Sequence, residues 1–179
     1  MLALLDPSRQ EITEYAAYTA EIETAVAALN DRAGAQVVDL RLADDFPLSV
    51  AAYTEYDVLF VNPIYDGLNL VAKEGPLVNE RDGVLVLSEN AGAAEELAPW
   101  ALIVNPFDVD EQAEALHRAL EMPQAERQSR LEGLRAYVQG HDVARLVEAI
   151  LGDLDRIAPA GRGVGSVVPT VIVVEQDNA

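Results

Sequence analysis

Short apolar runs alternate with stretches of helical spacing along most of the chain. The apolar runs predict strands at residues 2–5, 36–40, 57–61, 83–87 and 101–104. The stretches with helical spacing predict helices at 11–33, 48–55, 68–79, 91–98 and from 108 to 157, the last broken near Pro123 and Gly140. Near-continuous apolar strands separated by helices indicate a parallel sheet with helices on both faces. The predicted fold class is therefore α/β, a Rossmann-like doubly wound parallel sheet.

Ligands of such sheets bind beyond the carboxyl ends of the strands. The segment NPIYDG, residues 62–67, follows the third predicted strand and leads into a helix predicted to begin near Leu68 or Asn69. Gly67 suits a turn there because it tolerates backbone conformations that other residues avoid. The first amides of the helix lack partners and carry partial positive charge, so a diphosphate is favoured at this point.

Two carboxylates flank this turn. Glu74 lies about one and a half turns into the helix, and its side chain leans toward the helix N-terminus, where it is placed to accept both hydroxyls of a ribose. Asp66 is placed to accept hydroxyls of a sugar on the far phosphate. The ordinary alternative makes Asp66 a common turn or cap residue, and makes Lys73 and Glu74 a solvated pair. The chain has neither a G-x-G-x-x-G nor a Walker loop, so spacing alone leaves both interpretations open.

Composition narrows the classes of function. The chain has 179 residues, half of them hydrophobic, which allows one domain with a real core. Thirty-one acidic residues against 12 basic ones give a net charge of −19, so the basic footprint of a nucleic-acid-binding protein is missing. The absence of cysteine excludes disulfides, thiolate nucleophiles and zinc–thiolate sites, and is typical of a cytoplasmic protein. No apolar stretch approaches a membrane span or a signal peptide, so no membrane partner is predicted.

The histidines and the tryptophan predict no further chemistry. His117 lies within a helical pattern and is predicted to be an ordinary surface residue, whereas His141 and Asp142 are predicted to start a helix. The two histidines are 24 positions apart, so no metal site is predicted. Trp100, the single tryptophan, is expected to belong to the core.

The segment DGLNLVAKE, residues 66–74, resembles the signature DGMNLVAKE of trehalose-6-phosphate synthases, which are retaining glycosyltransferases with two facing Rossmann-like lobes. Flanking segments agree, namely DPSR at 6–9, YDVLFVNP at 56–63, GVLVLSENAGAAEEL at 83–97, VNPFDV at 104–109 and ALHRALEMP at 115–123. The similarity extends from about residue 2 to about residue 157. Leu68 replaces the usual Met, while Tyr65 and Asn90 stand where many members have Arg and Phe.

The resemblance implies roles for individual residues. The turn that binds the donor sugar and its phosphates would comprise Asp66, Gly67, Leu68 and Asn69. The nucleotide-binding residues would be Leu70, Val71, Ala72, Lys73 and Glu74, with Phe46 contacting the base. Within that stretch Glu74 would hold the ribose, whereas Lys73 is interpreted as structural, with its side chain turned away from the phosphates. Arg9 would contact the acceptor phosphate, a role that suits the planar fork of a guanidinium.

The resemblance also implies an activity. A family member transfers glucose from a nucleotide-diphosphate glucose to glucose 6-phosphate and forms trehalose 6-phosphate, with no cofactor or metal. Residues 1–157 correspond to part of the carboxyl-terminal lobe, and residues 158–179 are expected to form a flexible tail. The amino-terminal lobe is absent, so the chain alone is expected to be inactive. The complete enzyme is compatible with a homo-oligomer. Two alternatives remain, a non-catalytic nucleotide-binding remnant and a related transferase with another sugar-phosphate or cyclitol-phosphate acceptor.

A strand order follows from the same resemblance. In the order 3-2-1-4-5-6, the runs at 2–5 and 36–40 become the second and third strands. The runs at 57–61, 83–87 and 101–104 become the fourth, fifth and sixth. The first strand, which would lie at the centre with the cationic residues that clamp the diphosphate on its following loop, has no counterpart in the chain. Two separate groups of strands are therefore predicted.

Overall fold

A computed structural model describes residues 1–7 and 11–157, which fall into a unit of residues 1–139 and a second unit that begins at Gly140. The strands of the described residues are β1 (Leu2–Leu5), β2 (Asp39–Leu42), β3 (Val58–Val61), β4 (Val84–Ser88) and β5 (Leu102–Val104). The helices of the described residues are α1 (Thr13–Ala33), α2 (Phe46–Glu55), α3 (Leu70–Val78), α4 (Ala94–Leu97), α5 (Val109–Glu121), α6 (Gln124–Gly140) and α7 (Val143–Ile157). None of these helices is long and apolar enough to cross a membrane.

A three-stranded parallel sheet in the order β3–β4–β5 forms the centre of the first unit. All five residues of β4, with the sequence VLVLS, are buried, as expected of a strand with neighbours on both edges and helices on both faces. Their side chains alternate between the two faces. Leu85 and Leu87 join one apolar cluster, and Val84 and Val86 join the other.

Helices cover both faces of this sheet. On the Leu85 face, the cluster includes Ala72 of α3, Leu97 of α4 and Leu134 of α6. On the opposite face, Ala119 and Met122, at the end of α5 and just beyond it, pack against the valines of β4. The predicted α/β class with parallel strands is confirmed.

The strands β1 and β2 form a separate two-stranded parallel sheet, in register from Leu2 opposite Asp39 to Leu5 opposite Leu42. Within residues 1–7 and 11–157 no ladder joins this sheet to β3, so the two predicted groups of strands are observed. Among the described residues, those before Val61 are all at least partly exposed. Hydrophobic burial is therefore concentrated in the three-stranded sheet and its helices.

The start of β2 differs from the prediction. The strand begins at Asp39 rather than at residue 36, because the side chain of Asn30 at the end of α1 binds the preceding segment. Its Oδ1 accepts hydrogen bonds from the amides of Val37 and Val38, each at 2.9 Å, and its Nδ2 donates to the carbonyl of Val38 at 2.9 Å. These backbone groups are then unavailable for strand pairing.

Two helix boundaries also differ. Helix α2 starts at Phe46, two residues before the predicted start, because Asp45 accepts a hydrogen bond from the amide of Leu48 at 2.9 Å and Pro47 suits the first turn. Helix α4 is shorter than the predicted 91–98, since residues 90–92 contact the turn that follows β3. The predicted tail, residues 158–179, lies outside the described residues, and its boundary stays a prediction.

Candidate functional site

The turn between β3 and α3 is organised by two side chains. The carboxylate of Asp66 accepts hydrogen bonds from the Nδ2 of Asn69 at 2.8 Å and from the amide of Leu68 at 3.3 Å. With its Nδ2 directed at Asp66, Asn69 presents Oδ1 to the amide of Ala72 at 3.0 Å. Asn69 is therefore the N-cap of α3, and Asp66 fixes the orientation of the capping amide.

Asn69 has a left-handed backbone, with φ 55° and ψ 82°. This conformation costs a residue other than glycine about 1 kcal/mol, and asparagine tolerates it better than most. It turns the chain sharply into α3. The amides of Leu70 and Val71 at the start of α3 have no acceptor within the described part of the chain. These amides and the helix dipole make this end of α3 suitable for an anion.

The adjacent Lys73 and Glu74 have different surroundings. The Nζ of Lys73 lies 2.8 Å from the carboxylate of Glu96, so its ammonium is directed toward α4. Glu74 is exposed and has no hydrogen-bond partner among the described residues. Burial raises the pKa of Tyr53 above its ordinary value, and the nearby negative charge of Glu74 raises it further. Glu74 thus offers a free carboxylate on α3, beside the phenol of Tyr53 on α2.

A second loop, which sequence analysis did not identify, lies against the turn. The amide of Asp66 donates to the carbonyl of Asn90 at 3.2 Å, and the amide of Gly92 donates to the carbonyl of Asp66 at 2.9 Å. The Nδ2 of Asn90 donates to the carbonyl of Ile64 at 2.9 Å. The run of small residues AGAA at 91–94 was the available hint, because small residues permit a close approach of two backbones.

The remaining predicted site residues are dispersed. Phe46 is the first residue of α2, which packs against α3, and its side chain is 72% exposed. Arg9 lies outside the described residues. Leu68 lies within the turn and Tyr65 directly precedes it; both differ from the usual family residues, and they are 52% and 88% exposed. Their roles stay predictions.

The histidines and Trp100 lie outside this turn. His117 is exposed on α5 and pairs with Glu121 at 3.3 Å. Asp142 accepts from the amide of Arg145 at 2.9 Å, which confirms that the chain starts a helix there. Trp100 is partly buried, with its ring 5.7 Å from that of Tyr137. Among residues 1–7 and 11–157, no group of three His, Asp or Glu side chains is placed to hold a metal ion.

A cavity of about 370 Å³ lies at the junction of α5 and α6. It is formed by residues 114–126 rather than by the turn, and its lining includes the side chains of Glu114, Glu121 and Glu126. His117 and Arg118 also line it and lie against Glu121 and Glu126, and no residue of the turn takes part. The turn and the start of α3 remain the candidate site.

Comparisons with known proteins cover most of the chain. The sequence model of glycosyltransferase family 20 matches residues 1–156. The chain is 42% identical over 120 residues to a validamine 7-phosphate valienyltransferase from Streptomyces hygroscopicus subsp. jinggangensis, covering 67% of this chain and 24% of that protein. It is 39% identical over 158 residues to a trehalose-6-phosphate synthase from Klebsiella pneumoniae, covering 85% of this chain and 33% of that protein.

A solved structure also resembles this chain. It is the UDP-forming α,α-trehalose-phosphate synthase of Burkholderia xenovorans in complex with glucose 6-phosphate, 35% identical with a TM-score of 0.79. The match covers 86% of this chain and 35% of that one. The chain thus spans between a quarter and about a third of the length of these relatives. The resemblance inferred from DGLNLVAKE is confirmed, and the chain belongs to glycosyltransferase family 20.

Proposed function

We propose that this chain forms part of the nucleotide-sugar-binding lobe of a retaining glycosyltransferase. The complete enzyme transfers glucose from a nucleotide-diphosphate glucose to glucose 6-phosphate and forms trehalose 6-phosphate. Asp66, Gly67, Leu68 and Asn69 contact the donor sugar and its phosphates. The first turn of α3 and Glu74 bind the nucleotide. A cytoplasmic location and a homo-oligomeric complete enzyme belong to the same proposal.

One observation carries the proposal. Helix α3 presents unpaired amides at its N-terminus and, just over one turn later, the exposed and unpaired carboxylate of Glu74. Amides and the helix dipole bind the negative diphosphate, whereas a carboxylate accepts hydroxyls and repels phosphate. A ligand that carries phosphates and, a few atoms away, a diol satisfies both, and a nucleoside diphosphate has this form.

Transfer itself requires more than this lobe. As the glycosidic bond breaks, negative charge develops on the departing diphosphate and must be stabilised. The described residues supply the amides of α3, whereas the only lysine of the chain, Lys73, is paired with Glu96. We therefore expect no sugar transfer by residues 1–179 alone, measured as disaccharide phosphate formed from UDP-glucose and glucose 6-phosphate relative to a sample without protein.

A second candidate acceptor is a cyclitol phosphate. The match to validamine 7-phosphate valienyltransferase, at 42% identity, supports a cyclitol-phosphate acceptor. The match to a trehalose-6-phosphate synthase, at 39% identity, supports glucose 6-phosphate about equally. By its name the valienyltransferase also transfers a different group, so the two candidates differ in the transferred group as well as in the acceptor, and both are proposed to use a nucleotide-linked donor. The donor site is therefore the part of the proposal that this chain can test directly.

The test is titration calorimetry of the chain with UDP, GDP and ADP, repeated on Glu74→Gln. We expect one nucleotide to bind, and we expect the variant to bind it more weakly by about 1–3 kcal/mol, because a charge-assisted hydrogen bond to the ribose is lost. Glu80→Gln is the matched control, since it makes the same change of charge just beyond the other end of α3. An equal loss in both variants, or no nucleotide binding at all, would contradict the proposal.

A further inference from the structure

The loop between β4 and α4, residues 89–93, holds the donor turn through its backbone. The amide and the carbonyl of Asp66 both bond to this loop, to Asn90 and to Gly92 respectively, and Asp66 and Ala91 pair as in a parallel bridge. The loop is itself fixed to the sheet. The amide of Glu89 donates to the carbonyl of Val104 in β5 at 2.9 Å, and the amide of Asn90 donates to the hydroxyl of Ser88 at 3.1 Å.

Gly92 allows the closest part of this contact. A Cβ at this position would stand 1.9 Å from the carbonyl oxygen of Gly67 and 3.5 Å from the amide of Leu68. Both neighbours are backbone atoms, which cannot rotate out of the way as a side chain can. Any residue other than glycine at position 92 must therefore push the turn away from the loop. The backbone of Gly92 does not have a positive φ, so close approach alone requires glycine there.

We propose that Gly92 is a positioning residue for the sugar and phosphate end of the donor, and this rests on the proposed function. The loop contacts the turn at Asp66 and Gly67, which lie ahead of α3. Glu74 is placed instead by the helix itself, and α3 is anchored in the core by Ala72. Displacing the loop therefore moves the sugar end of the site and leaves the nucleoside end in place.

The experiment compares two ligands on one protein. UDP-glucose reaches both ends of the site, whereas UMP lacks the sugar and the second phosphate; if the titration above selects guanosine or adenosine, the corresponding pair is used. Dissociation constants are measured for the full 179-residue chain and for Gly92→Ala. We expect the variant to lose about tenfold in affinity for UDP-glucose, the effect of misplacing one or two hydrogen bonds, and to keep its affinity for UMP within about twofold.

Two glycines provide matched controls. A Cβ at Gly133 would stand 2.1 Å from the Nε1 of Trp100, so Gly133→Ala damages the packing of α6 without touching the turn. A Cβ at Gly152 in α7 would meet no atom within 4 Å, so Gly152→Ala is a neutral change. Neither variant should alter the ratio of the two affinities, because general loss of stability weakens both ligands together.

The outcomes separate the positioning role from the proposed function. Suppose that the unmodified chain binds both UMP and UDP-glucose. The positioning role is then wrong, and the donor site stands, if Gly92→Ala leaves the ratio of the two affinities unchanged. The same conclusion follows if Gly133→Ala changes that ratio as much as Gly92→Ala does. If the unmodified chain binds neither ligand, both proposals fall.

Asn90→Ala replaces Gly92→Ala in this experiment if the latter does not fold. It removes only the bond to the carbonyl of Ile64, and a loss of about threefold for UDP-glucose alone supports the positioning role, whereas an unchanged ratio overturns it.

Discussion

Tyr56 shows how one buried polar atom affects stability. Its hydroxyl has no hydrogen-bond partner among the described residues. Its ring lies over the backbone of Gly83, where a Cβ would stand 2.1 Å from Cε2. Burial raises the pKa of this phenol well above its ordinary value, and the positive charge of Arg135 opposes the shift only in part. The folded protein therefore resists ionisation of Tyr56, whereas the unfolded chain does not.

Tyr56→Phe should change the stability in two ways. At about pH 8 we expect the free energy of unfolding to rise by about 1 kcal/mol, because an unsatisfied buried hydroxyl is removed. Above the ordinary tyrosine pKa of about 10, the unfolded chain releases a proton that the folded protein retains at Tyr56, so the original protein loses stability as pH rises. The variant should lose less, and Tyr53, whose pKa is also raised, accounts for part of what remains. Urea unfolding followed by the fluorescence of Trp100, at about pH 8 and about pH 11, measures both effects.

Tyr18→Phe is the control for this comparison, since the side chain of Tyr18 is 63% exposed and its replacement should leave the pH dependence unchanged. Equal alkaline losses in Tyr56→Phe and in the original protein would show that other groups cause the loss.

At the scale of elements, α6 ties the ends of other elements together through its arginines. Arg135 donates to the carbonyl of Pro76 at 2.9 Å and to that of Asn79, both at the end of α3. Arg127 donates to the carbonyl of Asp82 at 2.8 Å, just before β4, and Arg130 donates to the carbonyl of Trp100 at 3.2 Å. The last carbonyls of a helix lack intrahelical partners and carry partial negative charge. A guanidinium at the end of α3 therefore donates hydrogen bonds to these carbonyls and also offsets their negative charge.

Arg135→Met tests this role, because methionine retains the length of the apolar stem and removes every donor. We expect a loss of about 2–4 kcal/mol in unfolding free energy, since two partly buried carbonyls lose their charged partner. The measurement is urea unfolding followed by Trp100, which packs beside the cluster that contains Leu134 of α6. Arg145→Met is the control, because Arg145 is exposed on α7 and bonds only to nearby backbone. Equal losses in the two variants would contradict the role assigned to Arg135.

At the scale of the molecule, stability is unevenly distributed. Among the described residues, every buried one lies between Val61 and Leu134. The sheet of β1 and β2 has no buried residue, and isolated two-stranded sheets are marginal in water. Its edge and that of β3 also leave backbone groups unpaired. The first unit therefore combines a buried, stable three-stranded sheet with an exposed, less stable pair of strands.

We predict that the isolated 179-residue chain does not unfold in one cooperative step, and that β1 and β2 open before the three-stranded sheet, whose unfolding the fluorescence of Trp100 reports. Hydrogen exchange of backbone amides should be slowest in β4 and faster by more than about tenfold in β1 and β2, because few apolar contacts oppose local opening there. Thermal unfolding should give a broad transition, or aggregation through the unpaired strand edges. A sharp two-state transition of a monomer with uniform protection would show that the unpaired edges are closed and that this view of the fold is wrong.

Local patterns in the sequence were sufficient for much of the architecture. The apolar run at 83–87 predicts the buried central strand β4, and the segment at 62–67 predicts a turn before α3, because side-chain periodicity and turn chemistry act within a few residues. The prediction that Gly67 supplies the unusual backbone conformation is wrong, since its φ is not positive and Asn69 is the left-handed residue. The start of α3 was predicted within two residues of its place at Leu70. The nine residues DGLNLVAKE were enough to identify the family, which the match over residues 1–156 confirms.

Only the tertiary structure decided the features that depend on distant residues. Asn30 displaces the start of β2 by binding Val38, and Lys73 pairs with Glu96, which lies 23 positions away. Gly92 appears in the sequence as one small residue among several, and its importance depends on the carbonyl of Gly67 behind it. Periodicity describes which face of an element is apolar, whereas these contacts depend on how separate elements approach one another. For that reason the position of the turn between β3 and α3 followed from the sequence, whereas the contacts that support this turn did not.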